Sequence, residues 1–469
     1  MSTMMTLAQA AQWMPGASLQ GPATTEILRV HTDTRSIEPG DLFVALRGER
    51  FDANDFLLEA QQRGAAAVVC HSRLDIAKLP PGLPRIEVPD TLKALQSLAT
   101  HWRQQFNLPV IAVTGSNGKT TVTQMVASIL QAYCPDGAAL ATRGNLNNEI
   151  GVPLTLLRLR SSHRIAVVEL GMNHPGEIAV LAAMAQPTVA LVNNAQREHL
   201  EFMQTVQAVA QENGSVLSAL PDTGVAVFPA DDAFASTWSR LSSPRSTACF
   251  AMDAAASATQ LVCQSAAWTG GAWQVHAQGL GVDLHYRLSI AGKHNVKNSL
   301  AAAACALAAG VPRHCVEQGL QGFVPVKGRS RAVSLIVDGR ECTLVDDSYN
   351  ANPDSVRAAI DVLADLPSPR LLVLGDMGEV GQEGPQFHTE AGRYAKERGI
   401  EQLYAMGSLA QSAVKAFGSA KHFDSVEDLN AAVRADMAQV NSVLVKGSRF
   451  MRMERTVEAL VANFSKGGH

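Results

Sequence analysis

A glycine-rich turn at residues 113–121, with the sequence Val-Thr-Gly-Ser-Asn-Gly-Lys-Thr-Thr, joins an apolar stretch to a helical one. Residues 109–113 predict a buried strand, and residues 122–133 predict the helix that follows. A turn of this kind directs backbone N–H groups and the positive end of the helix toward an anion, which is typical of a phosphate site. The strand must belong to a sheet, so the turn favours an α/β fold.

Several residues of the turn suit the phosphates of a nucleotide. Gly115 and Gly118 would let the backbone approach closely. Lys119 offers a positive charge to the outer phosphates, and Thr120 offers a hydroxyl to Mg²⁺. The match to the general P-loop is incomplete, because Val113 stands five residues before Gly118 where the pattern has glycine. A structural turn without a ligand is the alternative, and the strand-loop-helix setting favours ATP. The predicted nucleotide contacts in the turn are Gly115, Ser116, Asn117, Gly118, Lys119, Thr120 and Thr121.

Length and hydrophobic patterning predict three domains, at residues 1–87, 88–326 and 327–469. A chain of 469 residues exceeds a single hydrophobic core. Short apolar stretches alternate with helical ones such as residues 91–106, which is typical of parallel sheets covered on both faces. Residues 300–310 are mostly alanine and predict a buried helix. The predicted strands are residues 41–46, 65–70, 109–113, 165–169, 189–193, 344–346, 371–374, 403–405 and 442–445.

Composition excludes several classes of function but does not identify one. The sequence is 46% hydrophobic and 17% charged, which is ordinary for a globular protein, and its formal charge of −4 gives no sign of a nucleic-acid surface. Seven scattered cysteines form no metal-ligand or disulfide pattern. The N-terminus lacks the features of a signal peptide, and no apolar run is long enough to span a membrane. We therefore expect a cytoplasmic protein, a monomer, that binds no nucleic acid and inserts into no membrane.

Two polar residues follow predicted strands of the central zone. Glu169 ends residues 165–169, and a carboxylate at the C-terminal end of a parallel strand faces the crevice where ligands bind. Mg²⁺ prefers carboxylate oxygens beside phosphates, although a glutamate in this position is often only solvated. His199 lies in the segment after the next strand. A lone histidine in a loop is more often a surface residue than a ligand, and its position beside the same sheet is the only independent argument for a ligand.

A second polar segment precedes the alanine-rich helix. Asn295 and Asn298 lie one turn apart and would present amides to a purine, while helix capping explains the same spacing equally well. Arg329 lies in the predicted joint between the second and third zones. Its guanidinium would reach a phosphate, or it is an ordinary linker charge.

Together and in this order, these segments resemble the Mur ligases, which join amino acids or a dipeptide to the muramoyl peptide precursor of the bacterial cell wall. The loop at residues 114–120, Glu169 and His199 are similar to the family's phosphate loop, metal-site glutamate and metal-site histidine. His294, with the two asparagines after it, is similar to its adenine segment. The resemblance covers essentially the whole chain. The stretches similar to members that add D-alanyl-D-alanine are residues 33–36, 48–53, 143–153, 347–353, 374–379 and 445–449.

The resemblance implies a fold of three domains: a small α/β N-terminal domain, a central P-loop ATPase with a parallel sheet, and a Rossmann-like C-terminal domain. It also assigns roles to matching residues. The implied catalytic residues are Lys119, Glu169, His199 and Arg329. The implied metal ligands are Thr120, Glu169 and His199. The implied nucleotide contacts beyond the loop are Asn295, Asn298, Arg329, Asp347 and Asn350.

The same resemblance implies where the substrates bind. The residues implied for the uridine diphosphate sugar, in residues 33–36 and 47–54, are Asp33, Thr34, Arg35, Ser36 and Asp52. The residues implied for the muramoyl peptide are Asn145, Asn147 and Asn148. The residues implied for the incoming dipeptide are His388, Lys446 and Ser448.

The implied reaction uses ATP and Mg²⁺. ATP would phosphorylate the terminal carboxylate of a UDP-N-acetylmuramoyl-tripeptide, and the amine of D-alanyl-D-alanine would then displace phosphate from the acyl phosphate. Water must be kept from this intermediate, so a closing motion with a hinge at residues 326–331 is expected. The rival interpretations are a folyl-polyglutamate-type ligase and a non-catalytic nucleotide-binding regulator.

One position departs from the family. Members usually carry a lysine, modified to a carbamate, fourteen residues after the metal-site histidine, and here that position is Asn213. A neutral amide cannot form a carbamate, so the second-metal arrangement of the family is expected to differ. Glu212 is adjacent, but neighbouring helical residues point about 100° apart.

Overall fold

The structure is a computed structural model that describes residues 3–48, 51–73, 80–255, 257–269 and 272–464. Within the predicted sugar segment 47–54, residues 49 and 50 lie outside this described part.

The N-terminal unit is a small sheet with two short helices. Its elements are β1 (Met5–Thr6), α1 (Leu7–Gln12), β2 (Ser18–Gln20), β3 (Glu26–Ile27), β4 (Arg29–His31), β5 (Asp41–Val44), α2 (Leu57–Gln62), β6 (Ala67–His71) and β7 (Arg85–Val88). Five strands form one sheet in the order β2-β7-β6-β5-β4, in which only β2 runs antiparallel to its neighbour, while β1 pairs with β3. The strands predicted at residues 41–46 and 65–70 are confirmed as β5 and β6.

The central unit is the largest. Its elements are α3 (Thr91–Arg103), β8 (Val110–Thr114), α4 (Lys119–Tyr133), β9 (Ala139–Ala141), α5 (Gly151–Leu156), β10 (Ile165–Glu169), α6 (Glu177–Ala185), β11 (Val189–Val192), α7 (Leu200–Met203), α8 (Val206–Ser218), β12 (Val225–Val227), α9 (Ala235–Ser242), β13 (Ser246–Thr247), β14 (Cys249–Ala251), β15 (Gln260–Thr269), β16 (Ala272–Gly279), β17 (Val282–Leu288), α10 (Lys293–Ala308) and α11 (Arg313–Gln321). Six strands form a fully parallel sheet in the order β13-β12-β11-β8-β10-β9. The predicted parallel sheet is confirmed, and its fully buried strands explain why continuous apolar runs revealed it.

A second sheet in the central unit was not predicted. It has the order β14-β15-β16-β17, and its last three strands are antiparallel. Along β16 and β17 buried residues alternate with accessible ones, because one face packs on the core and the other meets solvent. A search for continuous apolar runs misses strands of this kind.

Helix α3 connects the first two units through a shared core. Asp90 caps it by accepting from the backbone N–H groups of Leu92 and Lys93 at 3.0 Å each. Its buried side chains, including Leu95 and Leu98, belong to one hydrophobic cluster with residues of both the N-terminal sheet and the central sheet. The helix therefore fixes the N-terminal unit to the face of the central sheet.

The C-terminal unit is a second parallel sheet with helices on both faces. Its elements are β18 (Arg331–Val337), β19 (Arg340–Asp347), α12 (Pro353–Ala364), β20 (Arg370–Gly375), α13 (Gly384–Glu397), β21 (Gln402–Met406), α14 (Gln411–Phe417), β22 (Lys421–Phe423), α15 (Val426–Asp436), β23 (Ser442–Lys446) and α16 (Glu454–Phe464). The strand order is β18-β19-β23-β20-β21-β22, with only β18 antiparallel. Separate hydrophobic clusters cover its two faces, so the doubly wound interpretation is confirmed.

The alanine-rich run predicted as a buried helix at residues 300–310 is confirmed for residues 300–308, which lie in α10, and residues 300–306 of it are inaccessible to solvent. Among the helices that the structure describes, none has both the length and the apolar character needed to cross a membrane. The three domain boundaries stay predictions.

Candidate active site

A cavity of about 920 Å³ opens at the C-terminal ends of β8, β10 and β11 and extends to the C-terminal unit. Its wall combines the glycine-rich turn, the end of β10, the segment after β11 and the start of α10 with the segments that follow β19 and β23. In parallel sheets, ligands bind beyond the C-terminal ends of the strands. The fold therefore brings the predicted polar segments of two units to one place.

The glycine-rich turn is held by Asn193 and Asn194, which the sequence did not single out. Gly118 precedes α4 with φ +83°, and a Cβ there would lie 2.7 Å from amide atoms of both Asn193 and Asn298. The backbone N–H of Asn117 donates to Asn194 Oδ1 at 2.8 Å, and Asn193 Nδ2 donates to the carbonyl of Asn117 at 2.8 Å. Glycine is thus required both for the backbone conformation and for the close approach.

Lys119 is directed back into its own turn. Its ammonium donates to the carbonyls of Gly115 and Ser116, at 2.6 and 3.0 Å, and pairs with Glu198 Oε1 at 2.7 Å. Both side chains are largely buried, with 14% and 10% of their surface exposed. The lysine is therefore already desolvated and placed at the end of the turn where outer phosphates would lie.

Glu169 forms a second polar group at the end of β10. Its Oε1 accepts from Thr120 Oγ1 at 3.1 Å and from Asn147 Nδ2 at 2.8 Å. Arg329 Nη2 in turn donates to Thr120 Oγ1 at 3.2 Å. Four residues predicted from distant parts of the sequence thus meet in one hydrogen-bonded chain.

His199 lies between two carboxylates from different units. Its Nε2 is 3.5 Å from Glu198 Oε1, and its Nδ1 is 2.7 Å from Glu379 Oε2, which belongs to the C-terminal unit. Burial lowers the pKa of His199, but the two carboxylates outweigh burial and raise that pKa to about 9. His199 and Glu379 both have left-handed backbone conformations, with φ +49° and +58°. Such strain in non-glycine residues is concentrated at functional sites.

These residues fit a magnesium site. Among the described side chains, Glu169 Oε2 and Glu198 Oε2 are buried atoms without a hydrogen-bond partner. A buried carboxylate oxygen without a donor is unfavourable, and a cation would satisfy it. Carboxylate and hydroxyl oxygens, from Glu169 and Thr120, are ligands that Mg²⁺ accepts, and His199 would add a nitrogen after losing its proton.

Asn295 and Asn298 are buried on the first turns of α10 and line the cavity. Asn298 Nδ2 donates to Asn295 Oδ1 at 2.9 Å, and Asn295 Nδ2 donates to the carbonyl of Ala291 at 2.7 Å. The residue that caps the helix is Gly292, so the capping alternative does not account for the two asparagines. Their contact with a purine stays a prediction.

The side chain of Asn213 holds the start of the glycine-rich turn in place. It is completely buried on α8, where its Oδ1 accepts from Thr114 Oγ1 at 2.7 Å and from the backbone N–H of Gly115 at 3.1 Å. The side-chain oxygen of Asn213 is therefore engaged with the loop. Asn213 has a structural role in this conformation.

The C-terminal unit contributes a cationic wall to the cavity. The Arg329 guanidinium lies 4.0 Å from the centroid of the Tyr349 ring. Lys446 Nζ is 2.5 Å from Asp347 Oδ2 and donates to the carbonyl of Asn350 at 2.9 Å. Asp347 and Asn350 line the cavity as predicted contacts of the nucleotide, and Lys446 and Ser448 line it as predicted contacts of the dipeptide.

The sequence did not predict the hydrogen bonds and ion pairs that join the central and C-terminal units. Arg197 binds Asp354 through side chain and backbone, at 2.8 to 3.1 Å, and pairs with Glu390 at 2.9 Å. Asn352 Nδ2 donates to Asn117 Oδ1 at 2.9 Å. These partners are about 155 to 235 residues apart, and no local spacing relates them. They hold the C-terminal unit against the phosphate loop.

The residues predicted for the sugar nucleotide, at residues 33–36 and Asp52, lie outside the cavity wall. Arg35 pairs with Asp33 at 2.6 Å and lowers the pKa of that carboxyl to about 2. By contrast, Asn145, Asn147 and Asn148 line the cavity, as expected for a substrate path.

His388 is placed differently from the prediction. It is fully buried, its Nδ1 donates to the carbonyl of Gly384 at 2.7 Å, and its Nε2 accepts from the backbone N–H of Met377 at 3.0 Å. Burial lowers the pKa of His388. Both ring nitrogens are thus occupied by backbone, and Phe387, rather than His388, lines the cavity. In this conformation His388 supports the loop after β20 and does not line the cavity, so its contact with the dipeptide stays a prediction.

A cavity between two α/β units that begins at a glycine-rich strand-to-helix turn is the arrangement of a nucleotide-dependent enzyme. Three family models match the chain: "Mur ligase family, catalytic domain" at residues 26–103, "Mur ligase middle domain" at residues 113–306, and "Mur ligase, glutamate ligase domain" at residues 328–449. The chain belongs to the Mur ligase family.

Individual relatives are similar over nearly their whole length. The UDP-N-acetylmuramoyl-tripeptide–D-alanyl-D-alanine ligase of Escherichia coli (strain K12) is 40% identical, over 98% of this chain and 99% of the relative. A crystal structure of MurF from Acinetobacter baumannii is 33% identical with a TM-score of 0.87, covering 97% of this chain and 98% of that one. MurF ligase from Thermotoga maritima, solved in complex with ADP, is 26% identical with a TM-score of 0.78, covering 92% and 96%.

Proposed function

We propose that this protein is an ATP-dependent ligase that joins D-alanyl-D-alanine to UDP-N-acetylmuramoyl-tripeptide, with Mg²⁺ as the metal. Support comes first from one arrangement, in which Lys119, Thr120, Glu169, His199 and Arg329 meet in a single cavity between two units. Further support comes from relatives at 32 to 40% identity that carry the name of this ligase.

The chemistry requires activation of a carboxylate, because an unactivated carboxylate does not acylate an amine in water. Phosphoryl transfer from ATP needs positioning and neutralisation of charge rather than covalent help. Lys119 and Arg329 would supply fixed positive charge around the transferred group. Mg²⁺ would neutralise charge on the phosphates, held by Thr120, Glu169 and His199.

The substrates are expected to approach the turn from two sides. Asn145, Asn147 and Asn148 border the cavity beside Glu169, which suits the peptide of the muramoyl substrate. Lys446 and Ser448 border it from the C-terminal unit, which suits the incoming dipeptide. The amine and the activated carboxylate would then meet next to Lys119.

A product assay tests this function directly. The purified chain is incubated with ATP, Mg²⁺, UDP-N-acetylmuramoyl-tripeptide and D-alanyl-D-alanine, and the pentapeptide product is identified by mass. Phosphate release should require both the tripeptide and the dipeptide. Parallel reactions with diaminopimelate and with lysine at the third position identify the natural substrate. Release that depends instead on glutamate and folate would establish the folyl-polyglutamate interpretation, and no product from any pair would favour the regulator.

A further inference from the structure

Three potential metal ligands lie together on the solvent-facing side of the antiparallel sheet. His276 of β16 stands directly opposite His285 of β17, and Asp283 lies two residues before His285 on the same strand. Side chains at such positions project from one face, because successive residues of a strand alternate between its two faces. The side chains of His276, His285 and Asp283 are 34%, 61% and 48% exposed. This group, the β16–β17 cluster, is therefore open to an ion from solvent.

Both histidines of the cluster face one carboxylate. Asp283 Oδ1 is 2.7 Å from His276 Nε2, and Asp283 Oδ2 is 3.5 Å from His285 Nε2. The two imidazole rings stack with their centroids 4.3 Å apart and their planes 10° apart. One ligand atom from each residue lies within 4.8 Å of the other two. A hydrogen bond between His276 and Asp283 accounts for one ring, whereas the second histidine adds a further nitrogen directed at the same carboxylate.

The backbone around the cluster is held on two sides. Gly279, where β16 ends, has φ +132°, and a Cβ there would lie 1.8 Å from the carbonyl oxygen of Gln260 in β15. Strand β17 is the edge of its sheet, and the backbone N–H of His285 donates to Glu317 Oε1 of α11 at 2.9 Å. The hairpin is thus anchored both to a neighbouring strand and to a helix. Ligands carried on rigid elements keep close to one geometry before a metal arrives.

We propose that His276, Asp283 and His285 bind a divalent transition-metal ion, with Zn²⁺ as the representative of the class. Imidazole nitrogens suit Zn²⁺, Ni²⁺ and Cu²⁺, whereas Mg²⁺ prefers oxygen ligands. Three protein ligands leave a fourth position of a tetrahedral zinc ion to water. The ion requires distances of about 2.0–2.1 Å to nitrogen and about 2.0–2.2 Å to oxygen. The accessible side chains reach these distances by small rotations about their own torsions.

The cluster is separate from the candidate active site. None of its three residues lines the cavity that begins at the glycine-rich turn. Tyr286, the neighbour of His285, points to the opposite face of the sheet, where its hydroxyl lies 2.7 Å from Ser299 Oγ of α10. The metal would therefore bind on the outer face of a sheet whose inner face packs on α10. Binding there goes beyond the proposed ligase function and does not depend on it.

The test measures zinc binding rather than product. Zn²⁺ is titrated into the full chain by isothermal calorimetry, with Mg²⁺ in large excess to occupy sites that prefer oxygen ligands. The unmodified chain should bind Zn²⁺ at the cluster. Loss of a group that only supports a metal ligand costs about 10–100-fold in affinity, so His285→Ala, which removes a ligand itself, should bind at least about tenfold more weakly. Asp283→Asn should also bind more weakly.

Two further variants control for zinc binding elsewhere. His174 is an exposed histidine that pairs with Glu177 at 3.0 Å, and it belongs to no group of three such ligands within the described part of the chain. His174→Ala should therefore bind Zn²⁺ as tightly as the unmodified chain. His199→Gln removes the histidine of the candidate magnesium site and should likewise retain the zinc ion of the cluster.

The outcomes separate the cluster from the other sites. Equal affinity for Zn²⁺ in His285→Ala and in the unmodified chain overturns the inference, and so does zinc binding that disappears in His199→Gln. If circular dichroism shows His285→Ala to be unfolded, His285→Gln replaces it, and an unchanged affinity there counts against the cluster. Failure of the unmodified chain to form the pentapeptide contradicts the proposed function and leaves the zinc measurement unaffected.

Discussion

Replacing Lys119 by alanine separates the catalytic role of this residue from its role in stability. The variant loses a fixed positive charge at the transferred phosphate, and loss of one such donor costs about 2.7–4 kcal/mol, or roughly 10²–10³ in kcat. It also removes one of the two cationic neighbours of the buried Glu198, and only His199, 3.5 Å away, remains. Breaking a buried pair by removing one partner costs about 3–5 kcal/mol. The lysine is only 14% exposed, so solvent screening reduces this cost little.

The assays are pentapeptide formation and thermal unfolding without nucleotide or metal. A loss of about 3 kcal/mol in the free energy of unfolding of a domain the size of the central unit lowers Tm by roughly 6–12 °C. The double variant Lys119→Ala/Glu198→Gln removes the buried carboxylate charge, so it should regain most of the lost Tm but none of the activity. Turnover within tenfold of normal in the single variant would refute the phosphate role. A double variant as unstable as the single one would refute the buried-pair argument.

Three further predictions follow from the geometry. Gly118→Ala places a Cβ 2.7 Å from two asparagine amides at a φ of +83°, so ATP affinity measured by titration should fall at least about tenfold, and an unchanged affinity would contradict the tight loop. The pKa of His199 is raised, so its protonated ring contributes on the order of 3 kcal/mol to the free energy of unfolding. This contribution is complete below the ordinary histidine pKa of 6.5 and is lost as pH rises through about 9. The Tm of the metal-free protein should fall over that range, and His199→Gln should flatten the profile. Because Asn213 cannot carry a carbamate, depletion of bicarbonate should leave ligation unchanged, and reversible inactivation would contradict this.

The fold was largely predictable, because buried parallel strands are continuous apolar runs. The strands β8, β10 and β11 each appear in the sequence as four or five consecutive small or branched apolar residues. The sheet of β14 to β17 was not predictable in that way, because β16 and β17 expose alternate residues and β15 is largely exposed along its second half. The edge strands β18 and β22 were missed for a related reason, since they are only partly buried.

The candidate site was predictable only where a residue lies beside a recognisable element. Lys119 and Thr120 begin the helix after β8, and Glu169 is the last residue of β10, so the topology of the central sheet alone brings them together. Glu198 and Glu379 lie in irregular segments 181 residues apart, and neither has a spacing that marks it. Contacts of this kind depend on how two units dock, which hydrophobic periodicity does not encode.

In this structure the contacts that join the central and C-terminal units also complete the candidate site. Arg329 of the C-terminal unit reaches Thr120 beside the phosphate loop, and Glu379 of that unit reaches His199. A separated C-terminal unit would therefore leave the threonine without its cationic neighbour and the histidine without the carboxylate that orients it. Phosphoryl transfer is therefore expected to need both contacts. The bonds of Arg197 to Asp354 and Glu390 hold the two units together. Weakening them should therefore lower kcat before it lowers the affinity for ATP.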